Sequence, residues 1–134
     1  MEMIFDDNIN IGRKSVFINL TNHPSSTWGR EQICDAENYG EITDLTFPYI
    51  PLDISNTELN TLVDEYFTCI KAYYNPVVML QGEFVFVYRL VNRLKAAGIP
   101  VYSACTKRIV SEIKQQDGSI IKTSRFNYGG LREY

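Results

Sequence analysis

The sequence predicts an α/β fold: an open parallel sheet flanked by helices, with a C-terminal antiparallel hairpin. Three observations carry that expectation. Between residues 15 and 102, short β-rich runs alternate with stretches of helical spacing, the pattern of a parallel sheet with helices on its faces. Val77-Val78-Met79-Leu80 is apolar without alternation, as in a central parallel strand covered on both sides. Near the C-terminus, Gln116-Asp117-Gly118-Ser119 separates two alternating runs, 109–114 and 120–126. Asp-Gly in that position marks a hairpin.

Taken in order, residues Met1 to Arg13 are polar with scattered Ile and Phe and read as a loose arm. Ser15 to Leu20 is the first strand. Pro24 and the Ser25-Ser26-Thr27 cluster form a loop that caps a helix. That helix runs roughly from Thr27 to Asn38, with Trp28, Ile33 and Ala36 expected inward and Gly40 as the stop. Glu41 to Leu45 alternates polar and apolar residues and is a second strand. Pro48 and Pro51 keep the following Phe47 to Pro51 segment extended. A second helix begins near Ser55. Its apolar stripe is Leu59, Leu62, Val63, Tyr66, Phe67 and Ile70, and Asn75-Pro76 ends it. After the Val77 to Leu80 strand, a third helix spans about Phe84 to Ala97. Phe86, Tyr88, Leu90, Val91 and Leu94 are available there for packing. Gly98 caps it, and Ile99 to Tyr102 starts the fourth strand. The tail from Tyr128 to Tyr134 is a candidate further strand.

The bulk numbers agree with one domain over residues 1–134. The chain has 134 residues, 45% hydrophobic and 22% charged, enough to build a core. Its net charge of −3 argues against a partner such as duplex nucleic acid, which rewards a global basic field. Lys95, Lys107, Arg108, Lys114, Lys122, Arg125 and Arg132 nevertheless gather in the last third, so a small anionic ligand fits. No apolar run reaches the roughly 20 residues of a membrane helix, and the acidic N-terminus lacks a signal-peptide pattern. A cytoplasmic location is expected. Three cysteines, widely spaced, and one histidine provide neither a disulfide framework nor a metal site.

Ligands of open α/β sheets bind outside the carboxyl ends of the strands. That rule gathers three remote segments into one candidate pocket. The first strand delivers Thr21, Asn22 and His23, the third Gln81, Gly82 and Glu83, and the fourth Ser103, Cys105, Thr106, Lys107 and Arg108. Gly82 allows close backbone approach, and the helix that follows offers amides to a phosphate. Thr106-Lys107-Arg108 supplies a hydroxyl and two cations for phosphate oxygens. GxGxxG, GxxxxGK[ST] and GxSxG are all absent, which rejects the usual dinucleotide, P-loop and nucleophile-elbow readings. Plainer roles stand beside these. His23 could bond the loop backbone, Glu83 could bias a helix N-terminus, Lys107 and Arg108 could be a solvated pair, and Trp28 could be core.

With these residues in view, the sequence resembles the small CRISPR-associated ring nucleases of the CARF type, which have a Rossmann-like fold. The resemblance lies in Leu80-Gln81-Gly82-Glu83-Phe84 with Tyr88 and Leu90-Val91-Asn92, and in Gly98-Ile99-Pro100-Val101-Tyr102-Ser103 through Thr106-Lys107-Arg108. It continues in Asp117-Gly118-Ser119, Arg125-Phe126 and Leu131-Arg132-Glu133-Tyr134. Asn22-His23 and Glu31-Gln32 are similar to a Ser-His and Glu-Gln pattern, with Asn22 in place of Ser. The last 60 or so residues match well and the remainder loosely.

This resemblance implies a homodimer that binds cyclic oligoadenylate, commonly the four-membered ring. It also implies cleavage without metal or cofactor, by attack of a ribose 2′-hydroxyl on the adjacent phosphorus. Carried onto this sequence, His23, Lys107 and Ser103 are the catalytic candidates. Asn22, Gln81, Gly82, Glu83, Phe84, Thr106 and Arg108 are the ligand-binding candidates. Two alternatives stay open: a sensor or sponge that holds the ring uncut, and a Rossmann-like protein for a nucleoside or sugar phosphate.

Overall fold

The computed structural model describes residues 14–134, and the expected arm over Met1 to Arg13 lies outside them. Five strands form one sheet in the order β2-β1-β3-β4-β5: β1 Val16–Leu20, β2 Glu41–Asp44, β3 Val77–Leu80, β4 Val101–Lys114 and β5 Ile120–Glu133. The first four pair in parallel and β5 runs antiparallel to β4. Helices α1 Arg30–Glu37, α2 Asn56–Lys71 and α3 Phe84–Ala96 connect the parallel strands. The α/β architecture predicted from the alternation is therefore present. From β1 the chain steps outward to β2, then returns to β3 and continues to β4. The direction of winding thus reverses between β1 and β3, which is the switch point where such sheets open a crevice.

Local chemistry explains most element boundaries. Ser55 caps α2: its hydroxyl accepts from the Glu58 amide at 3.1 Å and donates to the Glu58 carboxylate at 3.0 Å, which satisfies one of the helix's free N-terminal amides. Glu83 caps α3 by accepting from the Val85 and Phe86 amides. Helix α2 stops at Lys71, capped at Ala72, and Asn75 in the loop that follows has φ +44°, a left-handed conformation that asparagine tolerates. Helix α1 starts later than the sequence suggests. Ser25–Thr27 is a separate 3-10 turn, Trp28 is extended, and Gly29 is the cap. The turn is held from another strand: Asp44 accepts from the Ser25 amide at 3.2 Å and the Ser25 hydroxyl at 3.1 Å.

The two faces of the sheet are covered unequally. On one, Ile18, Leu20, Val78, Leu80 and Val101 pack against Leu59, Val63 and Ile70 of α2 and Phe86, Leu90, Val91 and Leu94 of α3. An ion pair between Arg93 and Asp64 ties these helices together, and the Arg93 guanidinium also lies 4.4 Å over the Phe67 ring. Tyr88, expected to pack, instead faces outward, while Val87 takes the inward position beside Val91. On the other face the buried hydrophobic cluster among the described residues is Phe17, Met79 and Ala36. A chain of aromatic rings completes the cover: Trp28 on Phe17, Phe17 on Tyr39, and Tyr39 on Tyr102, with centroids 5.3–6.3 Å apart. Of the three residues expected inward from the first helix, Ala36 alone is buried, and Trp28, which precedes α1, and Ile33 are half-buried.

The fourth strand differs most from expectation. Ser103 to Arg108 is not a strand-end loop; β4 continues through it to Lys114, and the tail strand expected over Tyr128 to Tyr134 is the continuation of β5. The register shift that permits this sits between Ala104 and Thr106, opposite Tyr128 to Leu131. Gly130 there has φ +104°, a conformation that favours glycine at a bulge. β4 pairs with β3 only at Val101 and Tyr102, so beyond Ala104 the β4–β5 pair leaves the sheet as a two-stranded ribbon. Its tip is the expected Asp-Gly turn. Asp117 accepts from the Ser119 amide and hydroxyl, and Gly118 has φ +87°. The Ser119 contacts hold the Asp117 carboxyl below its usual range. Among the described residues no helix is long and apolar enough to cross a membrane.

Candidate functional site

A cavity of about 370 Å³ opens at the switch point, on the thinly covered face. The end of β1 contributes Thr21, Asn22 and His23, the end of β3 Met79, Gln81 and Gly82, and β4 Ala104 and Thr106. The walls are completed by Thr27 and Trp28 of the turn, Gln32 of α1, and Phe126 and Tyr128 of β5. Three stretches remote in sequence thus converge at the carboxyl edge of the parallel strands.

A buried polar network sets the β1 corner. Asn19 is fully buried on β1, opposite Asp44 in the parallel register. Its Nδ2 donates to the His23 carbonyl at 2.8 Å and to Asp44 Oδ1 at 3.1 Å, and its Oδ1 accepts from the Thr21 hydroxyl at 2.8 Å. The same hydroxyl accepts from the His23 amide at 3.1 Å. The backbone of His23 is therefore pinned from both sides, and its imidazole is left exposed at the cavity wall. Such networks rigidify a site when every member is satisfied.

Gln81 joins β3 to β4. Where β3 ends, its Oε1 accepts from the Ala104 amide at 3.0 Å, replacing a ladder bond that the shorter strand does not make. That contact uses the oxygen, and the amide NH2 has no acceptor among the described residues. Gly82 is held tightly: a Cβ there would collide with the Phe47 ring, which packs edge-on against Phe86. The need for glycine therefore comes from Phe47 as well as from the cavity. Tyr128 donates to Asp35 of α1 at 2.7 Å. Burial first, then this hydrogen bond to Asp35, push its phenol far above the ordinary value. It stays neutral, a rigid wall between β5 and α1.

Of the sequence-predicted candidates, Asn22, His23, Gln81, Gly82 and Thr106 line this cavity; Ser103, Glu83, Phe84, Lys107 and Arg108 do not. The reasons are geometric. Side chains alternate along a strand, and Tyr102, Ala104 and Thr106 take the cavity face. Ser103 and Lys107 consequently project from the other face, Ser103 beside the Tyr134 hydroxyl and Lys107 along the side of Gly129. Arg108 has the right parity and pairs with Phe126, one step out along the ribbon. Glu83 is occupied as the α3 cap and borders a neighbouring recess with Asn22 and Tyr49. Phe84 is 88% exposed on the outer side of α3.

The chemistry of the walls follows. They hold amides, hydroxyls and four rings (His23, Trp28, Phe126 and Tyr128), and neither lysine nor arginine. Planar aromatic ligands stack on such rings, and amides read their polar edges. Among the described residues no group of His, Cys, Asp and Glu is arranged to hold a metal. Sequence reasoning missed Trp28, Phe126 and Tyr128 as site residues. Gln32 also lines the cavity, with the Glu31-Gln32 pair of the sequence resemblance as its only signal.

The model of the "Uncharacterized protein MJ1673 family" matches residues 15–132, which span all five strands and the cavity. The chain belongs to this family. It is 31% identical over 116 residues to the Uncharacterized protein MJ1673 of Methanocaldococcus jannaschii, covering 78% of this chain and 87% of that relative. The MJ1673 family match thus takes in both the parallel sheet and the ribbon.

Proposed function

We propose that this member of the MJ1673 family is a ring nuclease: a cytoplasmic homodimer that binds cyclic oligoadenylate in the strand-end cavity and cuts it, ending a CRISPR type III antiviral signal. One observation supports this above the others. His23, Gln81 and Thr106, brought from three strands, face one cavity with aromatic walls. Stacking against Trp28, Phe126 or Tyr128 suits an adenine base, and the amides of Asn22, Gln32 and Gln81 suit its polar edge. At about 370 Å³ the cavity is near the lower end of the roughly 300–1,000 Å³ range of small-molecule pockets. It takes a nucleotide-sized part of a larger ring. A ring with two-fold symmetry then calls for two such cavities across an isologous pair.

In the proposed reaction the 2′-oxygen bonds to the adjacent phosphorus while the bond to the 5′-oxygen breaks. A linear product with a 2′,3′-cyclic phosphate and a free 5′-hydroxyl results. The 2′-hydroxyl proton leaves and the 5′-oxygen gains one, so no water is consumed. Alignment of the three reacting atoms supplies much of the acceleration. His23, the one imidazole, moves one of these protons, and its pinned backbone keeps the ring in place. With Lys107 on the opposite face, Arg108 becomes the better candidate to neutralise phosphate.

The absence of lysine and arginine from the cavity walls favours a second reading, a sensor or sponge that holds the ring without cutting it. The two separate on incubation with cyclic tetra-adenylate in EDTA, analysed by mass spectrometry. Linear products ending in a 2′,3′-cyclic phosphate, slowed by about 100-fold in His23→Ala, support the nuclease. A tight complex with intact ligand supports the sensor. No binding at micromolar protein overturns both and leaves a nucleoside or sugar phosphate as the ligand class.

A further inference from the structure

The ribbon formed by β4 and β5 raises a separate question. From Thr106 to Lys114 it extends about 27 Å at the usual rise per residue, with no other strand beside it. Ile109, Val110, Ile113, Ile120, Ile121 and Phe126 are all exposed on it. Two-stranded ribbons are marginal in water without a packing partner, and Ile113 faces Ile121 directly across this one. Its charge is opposite to that of the rest of the chain. Lys107, Arg108, Lys114, Lys122 and Arg125 against Glu112 and Asp117 give +3, in a chain of net −3, which leaves −6 elsewhere. Lys122 is paired with Glu112 at 3.5 Å, whereas the other four cations have no carboxylate within reach among the described residues.

We infer that the ribbon clasps a second copy of this chain, lying on its acidic α1 side and bringing cations to the mouth of its cavity. Two like-charged ribbons would repel if laid together, so ribbon against body is the favoured pairing. Glu31 and Glu37 of α1 and Glu41 of β2 are exposed on that body. The cavity opens on the same face and lacks a cation of its own. The partner's ribbon supplies what the walls do not. Exchange of equivalent patches closes a two-fold pair. The dimer contact stands on the ribbon itself, while the cation contribution rests on the anionic ligand proposed above.

Sedimentation of the full chain tests the contact without ligand. Wild-type protein at micromolar concentration is expected at twice the 15.4 kDa of the chain, with dissociation favoured by salt. The double variant Lys114→Glu with Arg125→Glu, if it melts like wild type, should dimerise at least tenfold more weakly. Adding Glu31→Lys and Glu37→Lys should restore pairing. A wild-type monomer, a monomer that instead retains RNA, or an unaffected dimer in the double variant overturns the proposal. Mixing His23→Ala protein with the ribbon double variant tests the shared site. In an equimolar mixture roughly half of the dimers are mixed and each holds one intact site of two, so about one quarter of wild-type cyclic tetra-adenylate cleavage should return. No recovery, with wild type active, overturns the cation contribution. An inactive wild type that still dimerises through the ribbon overturns the nuclease reading and the cation role but leaves the clasp standing.

Discussion

The two faces of the central sheet solve the same burial problem differently. Toward α2 and α3, strand residues 18, 20, 78, 80 and 101 meet two long helices, and the interface is aliphatic and closed. Toward α1, a helix of eight residues meets the sheet through Ala36, and the rest is covered by Trp28, Phe17, Tyr39 and Tyr102 in ring-to-ring contact. The difference follows from the winding. One crossover, between β1 and β2, lies on the α1 side, while the other two lie opposite. One short helix cannot cover five strands, so the thin face keeps an opening where the crossovers part. Stability is thus concentrated on one side of the sheet and the candidate site on the other.

The strongest test of that division is Phe86→Ala. Phe86 is fully buried and receives Phe47 and Tyr66 edge-on at 5.4 and 5.5 Å. Its truncation should cost about 3–5 kcal/mol, read from urea unfolding. A loss below about 1 kcal/mol would mean that the thick face is not where stability resides. Asn19→Ala probes the boundary between the faces. Removing it leaves the Thr21 hydroxyl, the His23 carbonyl and Asp44 short of a partner, and should cost about 2 kcal/mol. The same change frees the His23 turn, so ligand affinity should fall more than stability alone explains. Unchanged binding in the folded variant would show that the network serves stability only.

Legibility in the sequence followed how local each cause is. The α2 cap is written in Ser55 and Glu58, three residues apart, and the hairpin tip in Asp117-Gly118. Val77 to Leu80 was readable because burial on both faces removes alternation. The long β4 was not readable. Its polar Ser103 to Arg108 stretch mimics a loop because the strand there has left the sheet and is solvated, and the bulge that keeps it paired lies opposite, at Gly130. The parity error for Lys107 follows directly, since a loop has no alternation to obey. The Asn19–Asp44 contact depends on a register between strands 25 residues apart, which no local pattern encodes. The aromatic walls were invisible for a related reason: Trp28 and Tyr128 have the composition of core residues, and only the shortness of α1 exposes them to a cavity.

The smallest expected effect concerns the aromatic cover. The Tyr39 hydroxyl beside Tyr102, reinforced by burial, pushes the Tyr102 phenol up to about 12 from an ordinary 10.0. A raised value means that the folded state favours the neutral phenol. Its contribution is therefore complete below about pH 10 and is lost as the pH climbs toward 12. Tyr66 and Tyr134, on the other side of the sheet, are also raised, in both cases chiefly by burial. Alkaline destabilisation is accordingly shared between the faces. Tyr102→Phe should remove only the Tyr102 share and leave that of Tyr128, whose phenol is also raised on the thin face, so the midpoint of urea unfolding should fall less steeply from pH 10 to 12 than in wild type. If the two profiles run parallel, Tyr102 does not hold its proton against Tyr39, and the ring-to-ring contact covers the thin face without any help from the hydroxyl pair.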